Sequence, residues 1–497
     1  MNLKKILQSV KVANEVLEKD VLLENIEFAD IAIDSRLVKK NSVFFAIPGK
    51  SKNGSEFIYD AAKNGAIAII ASDFKGFENK EKLIKIKCSD PFSLLVEFLK
   101  TFYSPLPTNI YAVTGTNGKT SISEFSRQIT EFLGKKSASI GTLGVICNQV
   151  SQDILQKSFL TTPDIVSFYK NLSVLKQNSV DDVFIETSSI GLEQKRIAGL
   201  DICVGSFSNF TQDHLDYHQS MEQYFKCKMM LFENVLENGS IAVLNSDIPE
   251  FENIKKICQK KNHKIFTYGF EATDFKILEI KAQDLHQEVI FKFREKTYEV
   301  HLSIFGEFQA FNILCALATV MAKHDLSDEK LRELLKNFPE IKSASGRMQQ
   351  VAILQNKARV FIDFAHSPDA LENVLHLARK LTKSRLIVLF GCGGDRDAKK
   401  RPIMGKLACD LADLVIVSDD NPRSENPAEI RKEILAACDL TKVIEIENRK
   451  DAIEKALVML ASDDILILAG KGHEKYQIIS DKKFEFDEEK IVKNALC

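Results

Sequence analysis

A strand–loop–helix stretch built around a Gly-Lys-Thr triplet constrains the fold more than any other part of this chain. The apolar residues 110–113 predict a short buried strand, which is followed by the glycine-containing segment 115–120. Residues 121–133 then have the spacing of a helix. A loop that leads into a helix presents backbone N–H groups to an anion, Lys119 adds a positive charge, and the Thr120 hydroxyl can bind magnesium. The stretch therefore predicts a nucleotide-binding α/β sheet, although its loop is two residues shorter than the general phosphate-loop pattern.

Length, charge and cysteine content exclude several classes of protein. A chain of 497 residues is too long for a single core, so about two to four domains are expected. The 67 Lys and Arg nearly balance the 69 Asp and Glu, which gives no reason to expect nucleic-acid or membrane-surface binding. The ten cysteines include no C-x-x-C pair, so the spacing signals neither a disulfide framework nor a zinc site. Without a membrane span or a signal peptide in the sequence, we expect a cytoplasmic protein.

The order of predicted strands and helices divides the chain into three α/β parts. Residues 1–105 predict a small α/β domain, and the proline-containing residues 104–107 predict the linker after it. In residues 106–338 apolar strands alternate with helices, which indicates a parallel sheet, with antiparallel edge strands within 276–305. Residues 339–497 predict another α/β unit, whose polar loops follow the strands at the edge where ligands bind in open parallel sheets.

Polar residues that follow strands of the central sheet are candidate ligands for a metal or a phosphate. Glu186 ends a predicted strand and should face the same crevice as the phosphate loop, because both follow strands of one parallel sheet. Residues 209–218 carry two Asp and two His among their last six positions. Magnesium prefers oxygen ligands, so Thr120 and Glu186 suit it, whereas His214 would be unusual on chemistry alone. A solvated strand-end acid and a structural histidine are the alternatives.

Three loops of the C-terminal unit carry charged and amide side chains after predicted strands. Arginine binds carboxylates through paired hydrogen bonds, and Glu474 and the Gly470 carbonyl can accept hydrogen bonds from an amine. These loops therefore suit a zwitterionic substrate, with salt-bridged loop tips as the alternative. The candidate residues for such a substrate are Arg396, Asp420, Asn421, Arg423, Gly470 and Glu474.

The motifs, taken in order, resemble those of the Mur ligases of bacterial cell-wall synthesis. The resemblance covers nearly the whole chain and is carried by residues 34–36, 115–120, 161–164, 186–189, 213–216, 228, 346–348, 363–369, 393–397, 420–423 and 470–474. It implies a small N-terminal domain that holds the UDP end of the substrate and a central P-loop parallel-sheet ATPase domain. It also implies a C-terminal Rossmann-like domain that holds the incoming amino acid.

The resemblance further implies roles for individual residues. The residues that correspond to ATP contacts are Gly115, Thr116, Asn117, Gly118, Lys119, Thr120, Asn312 and Arg347. Those that correspond to contacts with the UDP substrate are Ser35, at the uridine nucleotide, and Thr161, Thr162, Ser188, Gln194 and Arg196, at the muramoyl-dipeptide. The implied catalytic residues are Lys119, Glu186, His214 and Lys228, and the implied magnesium ligands are Thr120, Glu186, His214 and Lys228 as a carbamate. Two motifs depart from the family pattern: Ile190 stands in place of His, and in residues 364–369 Phe364 stands in place of Tyr and Ser367 in place of Thr.

The expected function is that of an ATP-dependent ligase with ATP and Mg²⁺ as cofactors. The resemblance implies addition of meso-diaminopimelate to UDP-N-acetylmuramoyl-L-alanyl-D-glutamate through an acyl phosphate, in peptidoglycan precursor synthesis. Residues 420–423 resemble the diaminopimelate-adding branch, whereas lysine-adding relatives usually lack Arg423. We expect a monomer with small-molecule substrates, no nucleic-acid partner and no membrane insertion.

Three alternatives remain open from the sequence. The first is the same ligase adding L-lysine. The second is a folylpolyglutamate-synthetase-like ligase, which shares the ATPase core but has no reason to carry the N-terminal domain. The third is a non-catalytic nucleotide-binding regulator, which could have lost Glu186, His214 and Lys228, all of which are present.

Overall fold

The structure, a computed structural model, describes most of the chain. The described residues are 1–12, 14–16, 25–49, 53–74, 77, 83–156, 158, 160–283, 286–304, 306–480 and 482–496, without the side chains of Asp216 and Gln283. Within them the strands form a five-stranded, a ten-stranded and a six-stranded sheet and one two-stranded hairpin. No helix in this described part is long and apolar enough to cross a membrane.

The N-terminal sheet has the strand order β1-β5-β4-β3-β2, with β2 to β5 parallel and β1 antiparallel. Its strands and helices are β1 (Asn14–Val16), β2 (Asp30–Ala32), β3 (Ser42–Phe45), β4 (Ala66–Ala71), β5 (Ile84–Cys88), α1 (Leu3–Ser9), α2 (Ile58–Lys63) and α3 (Pro91–Phe102). The Asp90 side chain caps α3 by accepting from Ser93 N, and Pro91 occupies the first turn. Phe98 of α3 packs edge-to-face on Phe45 of β3, which joins the helix to the sheet.

The central sheet places the phosphate loop in its middle, because β6 lies between β9 and β10. Its strands are β6 (Asn109–Thr114), β7 (Ser137–Gly141), β8 (Gly144–Ile146), β9 (Asp182–Glu186), β10 (Ile202–Phe207), β11 (Ile241–Asn245), β12 (Lys264–Gly269), β13 (Phe275–Gln283), β14 (His286–Phe293) and β15 (Lys296–Leu302). Its helices are α4 (Lys119–Phe132), α5 (Ile165–Gln177), α6 (Ser189–Glu193), α7 (Leu215–His218), α8 (Met221–Met230), α9 (Phe251–Lys260), α10 (Glu307–Met321) and α11 (Asp328–Leu335). Strands β6, β7 and β9 to β13 are parallel, whereas β8, β14 and β15 pair antiparallel.

The C-terminal sheet is parallel across β17-β21-β18-β19-β20, with β16 antiparallel at one edge. Its strands, with the separate hairpin β22–β23, are β16 (Gln349–Ile353), β17 (Arg359–Asp363), β18 (Leu386–Phe390), β19 (Leu414–Val417), β20 (Val443–Glu445), β21 (Ile465–Ala469), β22 (Tyr476–Ile479) and β23 (Lys482–Glu485). Its helices are α12 (Pro368–Leu381), α13 (Lys400–Leu411), α14 (Pro427–Leu435), α15 (Arg449–Val458) and α16 (Glu488–Leu496). Residues of β18 and β21 are buried on both faces, which explains their unbroken apolar sequences.

The predicted antiparallel strands within 276–305 are confirmed for the described residues, while Phe305 lies outside them. The hairpin β7–β8 was not predicted. Ser137 and Ser139 interrupt the apolar pattern of β7, yet both are buried, because their hydroxyls donate to the Arg127 carbonyl and to Glu124 of α4. The proposed domain boundaries after residues 105 and 338 fall between sheets and remain a prediction.

The helix α16 is held to α15 by a buried ion pair. Arg449 Nε lies 2.7 Å from Glu488 Oε1, and the two side chains are 0% and 1% exposed. Because removal of one partner leaves the other charge buried and unpaired, we expect Arg449→Leu to lower the free energy of unfolding by about 3–5 kcal/mol. The double variant Arg449→Leu, Glu488→Leu should be less destabilised than the single one. Urea denaturation followed by circular dichroism tests this, and a single variant as stable as the unmodified chain would contradict it.

Candidate active site

The phosphate loop depends on two glycines with positive φ. Gly115 has φ +143° and Gly118 has φ +87°. A Cβ at Gly115 would collide with Ser208 Oγ, and a Cβ at Gly118 would lie 2.5 Å from Asn312 Oδ1. Both positions therefore require glycine, and they bring the loop close to the end of β10 and to α10.

The residues that follow β10 hold the loop in shape. Thr116 N donates to the Asn209 carbonyl at 2.9 Å, and Asn117 N donates to Asn209 Oδ1 at 2.8 Å. Ser208 Oγ donates to the Asn117 carbonyl at 2.5 Å. The predicted ATP-binding residues 115–120 thus form one loop that ends at the N-terminus of α4, where free N–H groups favour an anion.

Two lysines donate to the same carbonyl oxygen of this loop. Lys119 Nζ lies 2.9 Å from Gly115 O and 2.7 Å from Thr116 O, and Lys228 Nζ lies 2.6 Å from Gly115 O. The Lys228 side chain is 1% exposed. Burial, and then the charge of Lys119, hold the pKa of Lys228 well below its usual value, and burial also lowers the pKa of Lys119. The site therefore disfavours the charged form of Lys228.

The Glu186 carboxylate is buried at the end of β9 and bonded on both oxygens. Thr120 Oγ1 donates to Glu186 Oε2 at 2.9 Å, while Thr142 donates through N to Oε1 at 2.8 Å and through Oγ1 to Oε2 at 3.0 Å. Burial raises the pKa of Glu186, and the charge of Lys119 acts in the opposite direction. The sequence reasoning missed Thr142, although it follows β7 at the same sheet edge.

The two histidines of segment 209–218 have different surroundings. His214, with φ +53°, lies with Nε2 3.5 Å from Asp213 Oδ2, and its side chain is 42% exposed. His218 is buried, with Nε2 2.8 Å from Ser189 Oγ. The two histidines therefore face different partners, and the interpretation of the segment as one metal or phosphate cluster stays a prediction; the side chain of Asp216 lies outside the described part.

A cavity of about 960 Å³ separates the central part from the C-terminal part. The phosphate loop, Glu186 and His214 line one side, and Arg347 and Asp363 line the other. Burial raises the pKa of Asp363 to about 6, although Arg347 lowers it. Asn117 Nδ2 donates to Asp369 Oδ2 across the cavity at 3.0 Å. The two walls are thus joined beside the loop.

The predicted ATP contacts outside the loop line the same cavity. Asn312 of α10 is buried, and its Nδ2 donates to Gln309 Oε1 at 3.0 Å. The Arg347 guanidinium stacks 4.9 Å from the ring of Phe364. Both Asn312 and Arg347 therefore line the cavity in which a nucleotide would bind.

The predicted muramoyl-dipeptide residues form one hydrogen-bonded group beside Glu186. Thr161 accepts from Thr142 Oγ1 at 3.3 Å, and Thr162 Oγ1 donates to the Glu186 carbonyl at 2.9 Å. Arg196 donates to the Thr162 carbonyl at 2.7 Å and to Gln194 Oε1 at 2.7 Å. Thr162 is fully buried, so its side chain holds the loop instead of facing the cavity.

The remaining substrate candidates lie on either side of that group. Ser188 accepts from Gly191 N at 3.0 Å and caps α6, and Ile190 in the same helix is half-buried. Ser35 belongs to the N-terminal part, where its side chain is buried and its carbonyl accepts from Asn64 Nδ2 at 2.9 Å.

A buried lysine organises the acceptor side of the C-terminal loops. Lys471 Nζ, fully buried, lies 3.0 Å from Asn421 Oδ1, 3.4 Å from Asp420 Oδ1 and 3.5 Å from Glu474 Oε2. Asn421 Nδ2 donates to Glu474 Oε2 at 2.8 Å. Gly470 has no room for a side chain, because a Cβ there would lie 2.7 Å from Asp420 Oδ2. Sequence reasoning did not single out Lys471.

Two arginines face the neighbouring glycine loop. Arg423 Nη1 donates to the Gly394 carbonyl at 2.7 Å, and Arg396 Nη1 donates to the Asp395 carbonyl at 2.9 Å. Neither guanidinium has a salt bridge with a described residue, whereas Lys471 pairs with Asp420 and Glu474, so the alternative of salt-bridged loop tips applies to the acceptor side only. Burial, and then the nearby charge of Arg396, lower the pKa of Arg423. Two adjacent guanidinium groups make this side of the loops a candidate site for a carboxylate.

Three family models match the chain in succession. They are described as Mur ligase family, catalytic domain (residues 27–103), Mur ligase middle domain (residues 113–320) and Mur ligase, glutamate ligase domain (residues 346–472). The chain belongs to the Mur ligase family. This Mur ligase is 40% identical to the UDP-N-acetylmuramoyl-L-alanyl-D-glutamate–2,6-diaminopimelate ligase of Rickettsia montanensis, over 94% of this chain and 95% of that relative.

Solved structures agree with this assignment. A structure titled UDP-N-acetylmuramoyl-L-alanyl-D-glutamate–2,6-diaminopimelate ligase has a TM-score of 0.65 and 30% identity, and covers 97% of each chain. Mycobacterium tuberculosis folylpolyglutamate synthase, complexed with ADP and AMPPCP, has a TM-score of 0.61 and covers 76% of this Mur ligase and 91% of that chain. Its 16% identity shows the shared fold alone. The expected three-part α/β architecture and the ligase class are confirmed.

Thr142 is expected to hold Glu186 in its reactive position. Thr142→Val removes the hydroxyl bond to Glu186 Oε2 and keeps the backbone bond, so we expect kcat/KM to fall by about 10- to 100-fold, as when a supporting hydrogen bond is lost. Thr142→Ser keeps the hydroxyl and is the matched control. Phosphate release in the presence of both substrates measures the rate, with melting temperatures to verify folding. Equal rates for the Val and Ser variants would rule out this role.

Proposed function

We propose that this Mur ligase adds meso-diaminopimelate to UDP-N-acetylmuramoyl-L-alanyl-D-glutamate, with ATP as the energy source, in peptidoglycan precursor synthesis. The observation that carries this proposal is the 40% identity, over 94% of the chain, to a relative named for that reaction. The cavity between the phosphate loop and the C-terminal part, where Arg347 and Asp363 line it, supports the proposal, because an ATP-dependent ligation requires both reactants in one crevice.

The reaction chemistry explains why the phosphate loop and the amino-acid loops must act together. A carboxylate does not accept an amine directly, so its oxygen first takes the γ-phosphoryl group of ATP and becomes an acyl phosphate. The amine then attacks the acyl carbon, and phosphate leaves with the C–O bond electrons. Lys119 and the loop N–H groups stabilise the charge on the phosphoryl oxygens. Lys119 would exchange its two loop carbonyls for phosphate oxygens when the nucleotide binds.

The residues around Glu186 fit magnesium. Thr120 and Glu186 place two oxygen donors 2.9 Å apart at the start of α4, and oxygen is the ligand type that magnesium prefers. We assign one magnesium to Thr120, Glu186 and His214, which line the same cavity, and a second magnesium to Lys228 once it is a carbamate. A bound Mg²⁺ would offset the negative charge of the ATP phosphates.

Lys228 is proposed to act as a carbamate. Only a neutral amine reacts with carbon dioxide, and burial beside Lys119 lowers the pKa of Lys228 in the required direction. The neutral amine forms an N–C bond to carbon dioxide and releases one proton, and the ammonium form must first lose another. The product is an anion that Lys119 attracts, in place of a cation that Lys119 repels. Lys226, two residues earlier, is exposed and paired with Glu222 at 2.6 Å, so it lacks this environment.

Variants of these two lysines test the carbamate. We expect Lys228→Ala to be nearly inactive and to be partly rescued by short carboxylic acids, which replace the lost anion. Lys226→Ala should keep full activity. The ligation rate is measured with and without carbon dioxide and bicarbonate. An unmodified enzyme unaffected by their removal, together with an active Lys228→Ala variant, would disprove the carbamate.

Arg423 is proposed to select diaminopimelate over lysine. Diaminopimelate carries a second carboxylate beside its distal amine, and Arg396 and Arg423 provide guanidinium groups for it. Glu474, Asn421 and the Gly470 carbonyl are the proposed acceptors for the amine, and Asp420 supports them through Lys471. Lysine would leave the half-buried Arg423 unpaired, at a cost of several kcal/mol, so we expect roughly a thousandfold lower kcat/KM for lysine.

The ratio of kcat/KM for the two amino acids is the decisive measurement. It should fall sharply in Arg423→Ala and remain unchanged in Arg332→Ala, a control for an exposed arginine on α11. Both variants should retain ATP binding, because neither residue lines the nucleotide cavity. Equal use of lysine and diaminopimelate by the unmodified enzyme would overturn the specificity and favour the lysine-adding alternative.

The remaining assignments follow from the same proposal. We assign Ser35 to the uridine nucleotide and the group of Thr161, Ser188, Gln194 and Arg196 to the muramoyl-dipeptide, with Thr162 holding that group from behind. We propose that the protein is a monomer, because one chain supplies every site residue. We also propose that it acts in the cytoplasm on small-molecule substrates. The alternative, a folylpolyglutamate-synthetase-like activity, does not explain the presence of the N-terminal sheet.

A further inference from the structure

Three short helices next to the phosphate loop bring a glutamate, a histidine and a cysteine together. Glu193 ends α6, His218 ends α7 and Cys227 lies within α8. One ligand atom of each lies within 4.8 Å of the other two. His218 is buried, and Glu193 and Cys227 are partly buried. The spacing of the three positions matches no metal-binding sequence motif, so the cluster could not be predicted from the sequence. The reaction described above does not use these residues.

We propose that Glu193, His218 and Cys227 form a binding site for one zinc-class divalent cation, with water in the remaining position. Thiolate, imidazole and carboxylate are the three ligand types that zinc accepts, at about 2.0–2.3 Å from the metal in tetrahedral geometry. Two ligands of such a site lie roughly 3.5 Å apart, so the observed separations require only small side-chain adjustments. Magnesium prefers oxygen and octahedral geometry, so this site and the Thr120–Glu186 site select different metals.

The histidine of the cluster is already held in place. His218 Nε2 lies 2.8 Å from Ser189 Oγ, and its ring packs 4.8 Å from Tyr217 and 5.2 Å from Tyr224. A hydrogen bond to one ring nitrogen orients the imidazole, as is usual for histidine ligands of metals. Cys227 forms no disulfide with a described cysteine, and its thiol can ionise to the thiolate that binds a metal. The thiol proton goes to solvent when the metal binds.

The proposed cation would join α6 to α8 at the residue before Lys228. Lys228 Nζ donates to Gly115 O, and Tyr224 OH donates to Thr116 Oγ1 at 3.2 Å while its ring packs on His218. A metal at Cys227 therefore restrains the helix that supplies two contacts to the phosphate loop. We expect zinc to raise the melting temperature of the chain, because it binds the folded arrangement of three helices and has no such site in the unfolded chain.

Cobalt titration of the chelator-treated full chain tests this site, because Co²⁺ bound to thiolate gives a charge-transfer absorption. In the presence of excess Mg²⁺, we expect that absorption to saturate at one Co²⁺ per chain and to disappear when Zn²⁺ is added. Cys227→Ala should lose it, and Glu193→Gln should weaken Co²⁺ binding about tenfold or more. Two variants serve as controls. Cys203→Ala alters another half-buried cysteine, and His301→Ala alters a second group of possible metal ligands, which His301 forms with Glu288 and Glu299. Both controls should bind as the unmodified chain does.

Several outcomes would overturn the proposal. They are no charge-transfer absorption in the unmodified chain, an absorption that survives in Cys227→Ala, and displacement of Co²⁺ by Mg²⁺. Circular dichroism verifies the fold of each variant. Should Cys227→Ala fail to fold, Glu193→Gln decides the question alone, because its side chain is only partly buried and keeps its shape. Unchanged Co²⁺ affinity in a folded Glu193→Gln variant would also contradict the site.

Discussion

The shared Gly115 carbonyl is the contact around which the active-site charges are arranged. Two lysine ammonium groups that approach one oxygen in a poorly solvated place repel each other, and each lacks water to disperse its charge. The carboxylates of Glu186 and Asp213 raise the pKa of Lys119, and Asp213 also raises that of Lys228, but burial and the charge of Lys119 outweigh Asp213 and lower the pKa of Lys228. The loop is therefore built for additional negative charge. Phosphate groups supply it to Lys119, and a carbamate would supply it at Lys228 itself.

Much of the fold and part of this site could be predicted from the sequence. The apolar run before Gly115, the glycines and Lys119 are local signals, because strand, turn and helix start all depend on neighbouring residues. Glu186 was also predictable, since parallel strands end at one edge of a sheet. Antiparallel strands β14 and β15 alternate visibly because only one face of each is buried.

The residues that sequence reasoning missed depend on contacts between distant segments. Lys228 was named only through the family resemblance, because the local residue pattern does not distinguish it from Lys226, yet one is buried under the phosphate loop and the other is exposed. Thr142 and Lys471 become important only because Glu186 and Asn421 lie beside them in space. Their partners are fixed by sheet order, which local patterns do not specify. Such polar networks are therefore the part of a site that requires a structure.

The C-terminal loops show how one short segment can recognise both ends of a zwitterion. On the acceptor side one cation, Lys471, lies among the two carboxylates of Asp420 and Glu474, which leaves an excess of negative charge. On the donor side the guanidinium groups of Arg423 and Arg396 donate to carbonyl oxygens and have no salt bridge with a described residue, which leaves an excess of positive charge. Asn421 and Arg423 are separated by one residue, so the two sides are necessarily close. A ligand with an amine and a carboxylate on the same carbon would satisfy both, whereas a simple amine or a simple acid would satisfy only one.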